Sequence, residues 1–376
     1  MLYNAQEINA PDIALPSAGF AGAIECRVPR WGAIGGSAGT LPPIRIESED
    51  PMKLETPHLV EMLRKMILIR AFDELAVELR TGGKIYGAVH PYVGQEAVAV
   101  GVCANLGVAD RVTSTHRGHG HCIAKGADIR RMMAELFGRV DGYCKGKGGS
   151  MHIADFAIGM LGANGIVGGG LPIACGAALA AQLEAKGNAA VCFFGDGAAA
   201  EGEFHEALNI ASTWKLPIVF VCENNQYAAN NAVSAQHPGV DIAAHAAPFG
   251  IPGVITDGND VLAVAEATDT ALARARRGDG PSLIECKTYR WLFHAMRNAP
   301  PPETRQAAEV TAWKARDPIA RFEGHLLDQR VVSAADLQAI RDRVTRDLDD
   351  AVAFADASPF PDPKDLLVDM FVGEGA

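Results

Sequence analysis

The chain has 376 residues, of which 48% are hydrophobic, enough for a substantial core, and a net charge of −11 that argues against nucleic acid as a partner. No run approaches the roughly 18 apolar residues that a membrane-spanning helix requires. Its eight cysteines include no C-x-x-C pair, and several fall in apolar runs, where Cys behaves as a small core residue; that pattern favours a reducing, cytoplasmic setting.

In chain order, residues 1–55 are loop-like, punctuated by Pro11, Pro16, Pro29, Pro42 and Pro43 and by Gly32, Gly35, Gly36 and Gly39. They read as a flexible arm, without the basic start, apolar core and cleavage site of a secretory signal. Residues 59–80 (LVEMLRKMILIRAFDELAVELR) form a long amphipathic helix closed by Gly82-Gly83. The stretch IYGAVHPYVGQEAVAVGVCANL is a loop leading into a helix, with His90 in its Gly/Pro-bounded part, a position typical of a surface histidine. Residues 111–125 (RVTSTHRGHGHCIAK) gather three histidines and an arginine between His116 and His121. A zinc site is disfavoured, because His119 and His121 are two apart and no Cys or acid lies at metal spacing. A cationic cluster for a diphosphate fits better, since Arg reads phosphate with two donors. The Gly/Lys run at 145–149 is not a P-loop, because G-x-x-x-x-G-K-[ST] does not occur. Residues 168–181 are a small-residue helix.

Residues 189–227 (AAVCFFGDGAAAEGEFHEALNIASTWKLPIVFVCENNQY) carry the chemistry. A short buried strand at 191–194 breaks at Gly195-Asp196-Gly197. A helix follows over 203–214, with Phe204, Ala207, Leu208 and Ala211 on one face. A second buried strand runs over 218–222 and ends at Glu223-Asn224-Asn225. In a right-handed βαβ unit both strand ends meet at one sheet edge, where ligands of open α/β sheets bind. Asp196 and Asn225 should therefore be neighbours. A carboxylate beside an anion needs a cation between them. An Asp oxygen, an Asn amide oxygen and a backbone carbonyl are hard ligands suited to Mg²⁺, with diphosphate and water completing the shell. The pattern Gly195-x-Gly197-x-x-Ala200, with Glu223 beyond it, also fits a dinucleotide fingerprint. That alternative leaves Asp196 unneutralised against a pyrophosphate and gives Asn224-Asn225 no task.

Residues 230–250 are polar and Gly/Pro-punctuated. Strand, helix and strand follow over 253–256, 261–277 and 283–287. Residues 288–299 (TYRWLFHAMRNA) form a loop carrying His294. Residues 303–357 are helical and charged with a break at Asp317-Pro318, and 358–376 is a Pro/Asp-rich tail expected to pack loosely.

The GDG-to-NN pattern resembles the thiamine-diphosphate signature. The wording around it resembles the α subunit of the E1 component of 2-oxo acid dehydrogenase complexes, from about Glu61 to Phe322; Gly94-Gln95-Glu96-Ala97 and GKGGSMH at 146–152 belong to the same likeness. The resemblance implies an α/β fold: a doubly wound, mostly parallel sheet with helices on both faces and C-terminal helices. Its domains would be the arm 1–55, the cofactor-binding domain 56–300 and the helical extension and tail 301–376. It implies Asp196, Asn225 and the Tyr227 carbonyl on Mg²⁺. Arg117, His116 (where many members carry tyrosine), His294 and the Gly197-Ala198 backbone would hold the diphosphate, and Gly165 and Val167 the aminopyrimidine. His90 would lie near the substrate, and His119 and His294 would be catalytic. Three departures stand out. Leu292-Phe293 replaces a polar or Gly-containing pair, and Ala295 replaces a serine that some members phosphorylate. The usual acidic stretch is replaced by Arg297-Asn298 and Pro300-Pro301-Pro302. The implied activity is cleavage of acetoin, or decarboxylation of a 2-oxo acid such as pyruvate, with acyl transfer to a lipoyl-bearing E2 component. The implied assembly is an α₂β₂ heterotetramer in which the β subunit brings the activating glutamate. The alternatives are an NAD-dependent dehydrogenase using the glycine turn, and a non-catalytic assembly subunit that keeps the fold.

Overall fold

The computed structural model describes residues 54–239, 241–296 and 303–369; most of the expected arm, and the substituted stretch at 297–302, lie outside them. Its strands are β1 (Arg111–Thr113), β2 (Met160–Gly162), β3 (Ala190–Gly195), β4 (Ile218–Asn224), β5 (Tyr227–Ala228), β6 (Asn231–Ala232), β7 (Gly253–Asp257) and β8 (Ser282–Lys287). Six of them form one parallel sheet in the order β2-β1-β3-β4-β8-β7, and β5 and β6 make a small antiparallel hairpin. The helices are α1 (Thr56–Thr81), α2 (Glu96–Cys103), α3 (His119–Lys125), α4 (Ile129–Leu136), α5 (Gly170–Glu184), α6 (Gly202–Thr213), α7 (Val261–Arg276), α8 (Ala307–Lys314), α9 (Pro318–Asp328) and α10 (Ala334–Ala357).

The central strands are apolar at consecutive positions because both faces of the sheet are covered. Val191, Phe193, Val219 and Val221 point into one core with Phe72 of α1, Val98 of α2, Leu272 of α7, Phe322 of α9 and Leu348 of α10. The residues between them, Ala190, Cys192, Phe194, Phe220 and Cys222, enter a second core with Ala178 of α5 and Phe204 and Leu208 of α6. The sheet is thus doubly wound, and the C-terminal helices share a core with α1 and α2. Truncating a fully buried ring such as Phe220 to alanine should cost about 3–5 kcal/mol. The break at Asp317-Pro318 is a helix start: Asp317 accepts the Ile319 N–H and Pro318 occupies the first turn. A capping box of Ser333 and Asp336 begins α10.

Three features depart from the sequence expectation. The three-residue strands β1 and β2 extend the sheet where the sequence reading assigned no strand. Ser358 is buried, its hydroxyl donates to Asp141 at 2.6 Å, and Phe360 lies under the Arg139 guanidinium at 3.7 Å. The start of the tail is therefore fixed rather than loose. His90 is buried rather than on the surface. The seven described cysteines are all unpaired, and burial pushes every one of their thiols above its usual range. Among the described residues no helix is long and apolar enough to cross a membrane.

Candidate functional site

A cavity of about 330 Å³ opens at the C-terminal edge of the sheet, beyond β3 and β4. Parallel register sets the two strand ends side by side, Gly195 opposite Glu223. The short β1 matters here: it runs parallel to β3, so Ser114–Arg117, which follow it, also reach the cavity.

Asp196 is 1% exposed, and its Oδ2 has no hydrogen-bond partner. Burial raises its pKa to about 6, against the opposing pull of the backbone N–H groups of Asp196 and Asn225. Those groups make Asp196 and Asn225 direct neighbours. Asn225 donates through Nδ2 to Gln95 Oε1 at 2.9 Å, which fixes its amide with Oδ1 on the opposite side, accepting from the Tyr227 N–H at 3.3 Å. His237 holds the Asp196 carbonyl through Nε2 at 3.0 Å. A Cβ on Gly197 would lie 2.6 Å from the Ala228 Cβ, so the turn requires glycine to pass the hairpin. Ala198 and Tyr227 also line the cavity, and the Tyr227 hydroxyl donates to Glu309 at 2.7 Å.

Two guanidiniums are buried nearby. Arg117 donates to the Pro91 carbonyl at 2.7 Å and to the His294 carbonyl at 3.2 Å. Arg290 donates to the Leu292 and Ala229 carbonyls at 2.6 and 2.8 Å. Burial lowers their pKa values to about 10 and about 9, and Arg117 lowers that of Arg290 further. Among the described residues neither forms an ion pair with a carboxylate.

Three histidines from separate segments meet beside Arg117. Ring centroids of His90, His116 and His294 lie 5.0–5.4 Å apart. The contact is made by pairing 89–93 with 291–296: Val89 and Met296 exchange backbone hydrogen bonds, and the Trp291 N–H donates to Val93. Gly94 permits this, with φ of +101° and a hypothetical Cβ 2.4 Å from the Tyr289 carbonyl. Arg117 Nη2 lies 3.4 Å from both His116 Nε2 and His294 Nδ1. A guanidinium can only donate, so both nitrogens face it as acceptors. Burial, with Arg117 next, pushes the His116 pKa down to about 2, so this ring is neutral.

Not every expected residue reaches the cavity. Ile166, Val167 and Gly168 line it, whereas Gly165 does not and is exposed. His119 does not line it either. Its ring is 1% exposed, with Nδ1 2.6 Å from Asp73 Oδ1 and Nε2 3.0 Å from Ser150 Oγ. Gln95 and Arg290 escaped the sequence reading, although both sit inside quoted motifs.

An orphaned buried carboxylate oxygen faces a cavity flanked by two guanidiniums without ion pairs. That donor set fits a divalent cation with a polyanion: the cation satisfies Asp196, and the polyanion compensates the arginines. One carboxylate, one amide oxygen and one backbone carbonyl suit a hard ion; among the described residues no cluster of three or more His, Cys, Asp or Glu is arranged to hold a metal. Glu223 does not suit a dinucleotide ribose, because it is buried, accepts from the Tyr92 hydroxyl and lies 3.0 Å from His121 Nε2.

Comparison with known proteins identifies the family. Residues 63–364 match the family described as dehydrogenase E1 component. The acetoin:2,6-dichlorophenolindophenol oxidoreductase α subunit of Bacillus subtilis is 48% identical over 329 residues, covering 88% of this chain and 98% of that protein. Its namesake from Cupriavidus necator is 46% identical, over 86% of this chain and 96% of the other. The chloroplastic pyruvate dehydrogenase E1 component subunit alpha-3 of Arabidopsis thaliana is 42% identical, over 83% and 74%.

Proposed function

The chain belongs to the dehydrogenase E1 component family, whose enzymes depend on thiamine diphosphate, and from that premise we propose that it is the α subunit of an oxidoreductase that cleaves acetoin and passes the acyl group to a lipoyl-bearing E2 component. The relatives at 46–48% identity carry acetoin in their names, the plant relative at 42% carries pyruvate, and this order favours acetoin. A 2-oxo acid such as pyruvate is the second reading, favoured by the departures around His294. A dinucleotide-dependent dehydrogenase is not favoured, since Glu223 is already engaged.

Thiamine diphosphate, when bound, supplies the carbanion chemistry that breaks the carbon–carbon bond beside a carbonyl. The chain supplies binding and orientation. Asp196, the Asn225 amide oxygen and the Tyr227 carbonyl hold Mg²⁺. Arg117, His116, His294 and the Gly197-Ala198 backbone hold the diphosphate, with Arg290 adding positive charge behind them. Val167, with Ile166 and Gly168 on the same strip of wall, would face the aminopyrimidine, and Gly165 would back that strip from outside the cavity. His90 borders the substrate, and His294 passes or accepts a proton as the acyl group leaves. The word "alpha" in the relatives' names implies a β subunit, and an α₂β₂ assembly completes the site with the activating glutamate. Seven unpaired thiols suit a reducing, cytoplasmic setting.

The observation that carries this reading is the unpartnered Oδ2 of buried Asp196 beside two guanidiniums without ion pairs among the described residues. It is tested with the α chain co-produced with its β subunit. Calorimetry should show thiamine diphosphate binding that requires Mg²⁺, and reduction of 2,6-dichlorophenolindophenol should be faster with acetoin than with pyruvate. Absence of Mg²⁺-dependent binding refutes the site, and preference for pyruvate refutes the substrate.

A further inference from the structure

We infer that His119 is a positioning residue: it transmits the position of α1 to the cavity wall through Ser150 and leaves the reacting groups untouched. The inference rests on the cofactor reading above and refines it, because the wall concerned is the strip assigned to the aminopyrimidine.

The relay starts at Asp73, which is fully buried in α1. One carboxylate oxygen accepts the Tyr92 N–H and the other takes His119 Nδ1 at 2.6 Å. A carboxylate only accepts, so the Nδ1 proton points at Asp73. Nε2 shares a hydrogen bond with the Ser150 hydroxyl 3.0 Å away. The ring also meets Phe72 edge-on at 5.5 Å, which fixes its plane. Both nitrogens are therefore spent inside the protein, and neither faces the cavity.

Ser150 continues a segment that is tied to α4 at several points. The carboxylate of buried Glu135 accepts the N–H groups of Cys144, Gly146, Gly148 and Gly149 at 2.8–2.9 Å. Four charge-assisted bonds tie the turns of 144–149 to α4. His152 adds a closing contact, Nδ1 to the Gly148 carbonyl at 3.0 Å. The far side of this segment abuts the cavity wall: a Cβ on Gly165 would lie 3.5 Å from His152 Nε2 and 3.9 Å from Met151 Sδ. Asn164, Ile166, Val167 and Gly168, on either side of Gly165, line the cavity. The physical chain is thus Asp73, His119, Ser150, Met151-His152, Gly165 and the wall. Glu135 makes the 144–152 segment stiff, and His119 sets where that stiff piece sits.

If His119 and Ser150 act as one device, removing either end releases the same constraint. His119→Gln and Ser150→Ala, each in the α–β complex, should weaken thiamine diphosphate binding with Mg²⁺ about two- to tenfold, the range for one hydrogen bond. The double variant should be no weaker than the worse single one. Hydrogen exchange of the 144–150 amides should quicken in each variant while β3 and β4 keep their protection. The pH–rate profile should keep both limbs, because no titrating group of the reaction has been removed. Additive losses in the double variant, or unchanged affinity with unchanged exchange, overturn the relay. Loss of one limb of the pH profile at unchanged affinity makes His119 a catalytic residue instead. If wild-type protein does not bind the cofactor, the functional reading falls, and loop exchange alone still decides the relay. Ser150→Ala keeps the test decisive should His119→Gln fail to fold.

Discussion

Replacing Asp196 by asparagine should make the cofactor-free protein more stable at neutral pH while removing its grip on the metal. Burial lifts the Asp196 pKa from 3.8 to about 6. The folded state therefore holds this proton more tightly than the unfolded chain. Between about pH 4 and 6 it binds more protons, so stability falls as pH rises through that window, and the full penalty is present above it. Two units at ~1.4 kcal/mol each give about 3 kcal/mol. Asparagine keeps the shape and carries no charge, so the variant should melt about 6 °C higher at pH 7.5, taking ~2 °C per kcal/mol for a large domain. The gap should shrink to about half at pH 5. Cofactor should reverse the order, since ligand at 1,000 times its Kd adds about 4 kcal/mol to the wild type. The variant should bind at least about 100-fold more weakly, because disturbing even a ligand's supporting partners costs 10–100-fold. Thermal denaturation at both pH values, with and without thiamine diphosphate and Mg²⁺, reads all of this. No stabilisation at pH 7.5, or a gap that ignores pH, would refute the buried, uncompensated carboxylate.

His294→Ala should slow acyl transfer to lipoyl-E2 by roughly 10²–10⁴-fold, the range for an acid–base group, while oxidation by a small dye acceptor falls much less; equal losses in the two assays would remove the transfer role. The α chain alone should show no turnover, and co-expression with its β subunit should restore it; robust activity from pure α would place the activating carboxylate in this chain. Gly94→Ala should destabilise the fold by more than about 3 kcal/mol, because a side chain there meets the Tyr289 carbonyl in a left-handed backbone; a melting temperature within a degree of wild type would contradict the close approach of 89–94 to 289–296.

The central βαβ unit was legible because its strands are long enough to show an apolar run and its helix long enough to show a period. β1 and β2 were not: three residues carry no period, and only pairing with β3 makes Arg111–Thr113 a strand. Missing β1 hid why Arg117 arrives at the cavity. The cluster of His90, His116 and His294 was legible as three separate candidates, but their contact depends on the bridge between Val89 and Met296, which no local pattern announces. His119 and His121 look like one motif. On a helix, residues two apart diverge by about 200°, so His119 turns to Asp73 and Ser150 while His121 turns to Glu223 and stacks on Phe193. Arg290 became part of the site only through long-range charge, which spacing cannot reveal.

The buried cysteines bear on handling and on traffic between subunits. A thiol reacts with alkylating agents and disulfides only as the thiolate. With every described thiol held above its usual range, the anion is scarce at neutral pH, and Cys103, Cys122, Cys192, Cys222 and Cys286 are also closed to reagents. Beside the carrier arm that the proposed function requires, the described cysteines would therefore offer no competing nucleophile: an oxidised arm would not be trapped as a mixed disulfide, and an acyl thioester would not be lost to them.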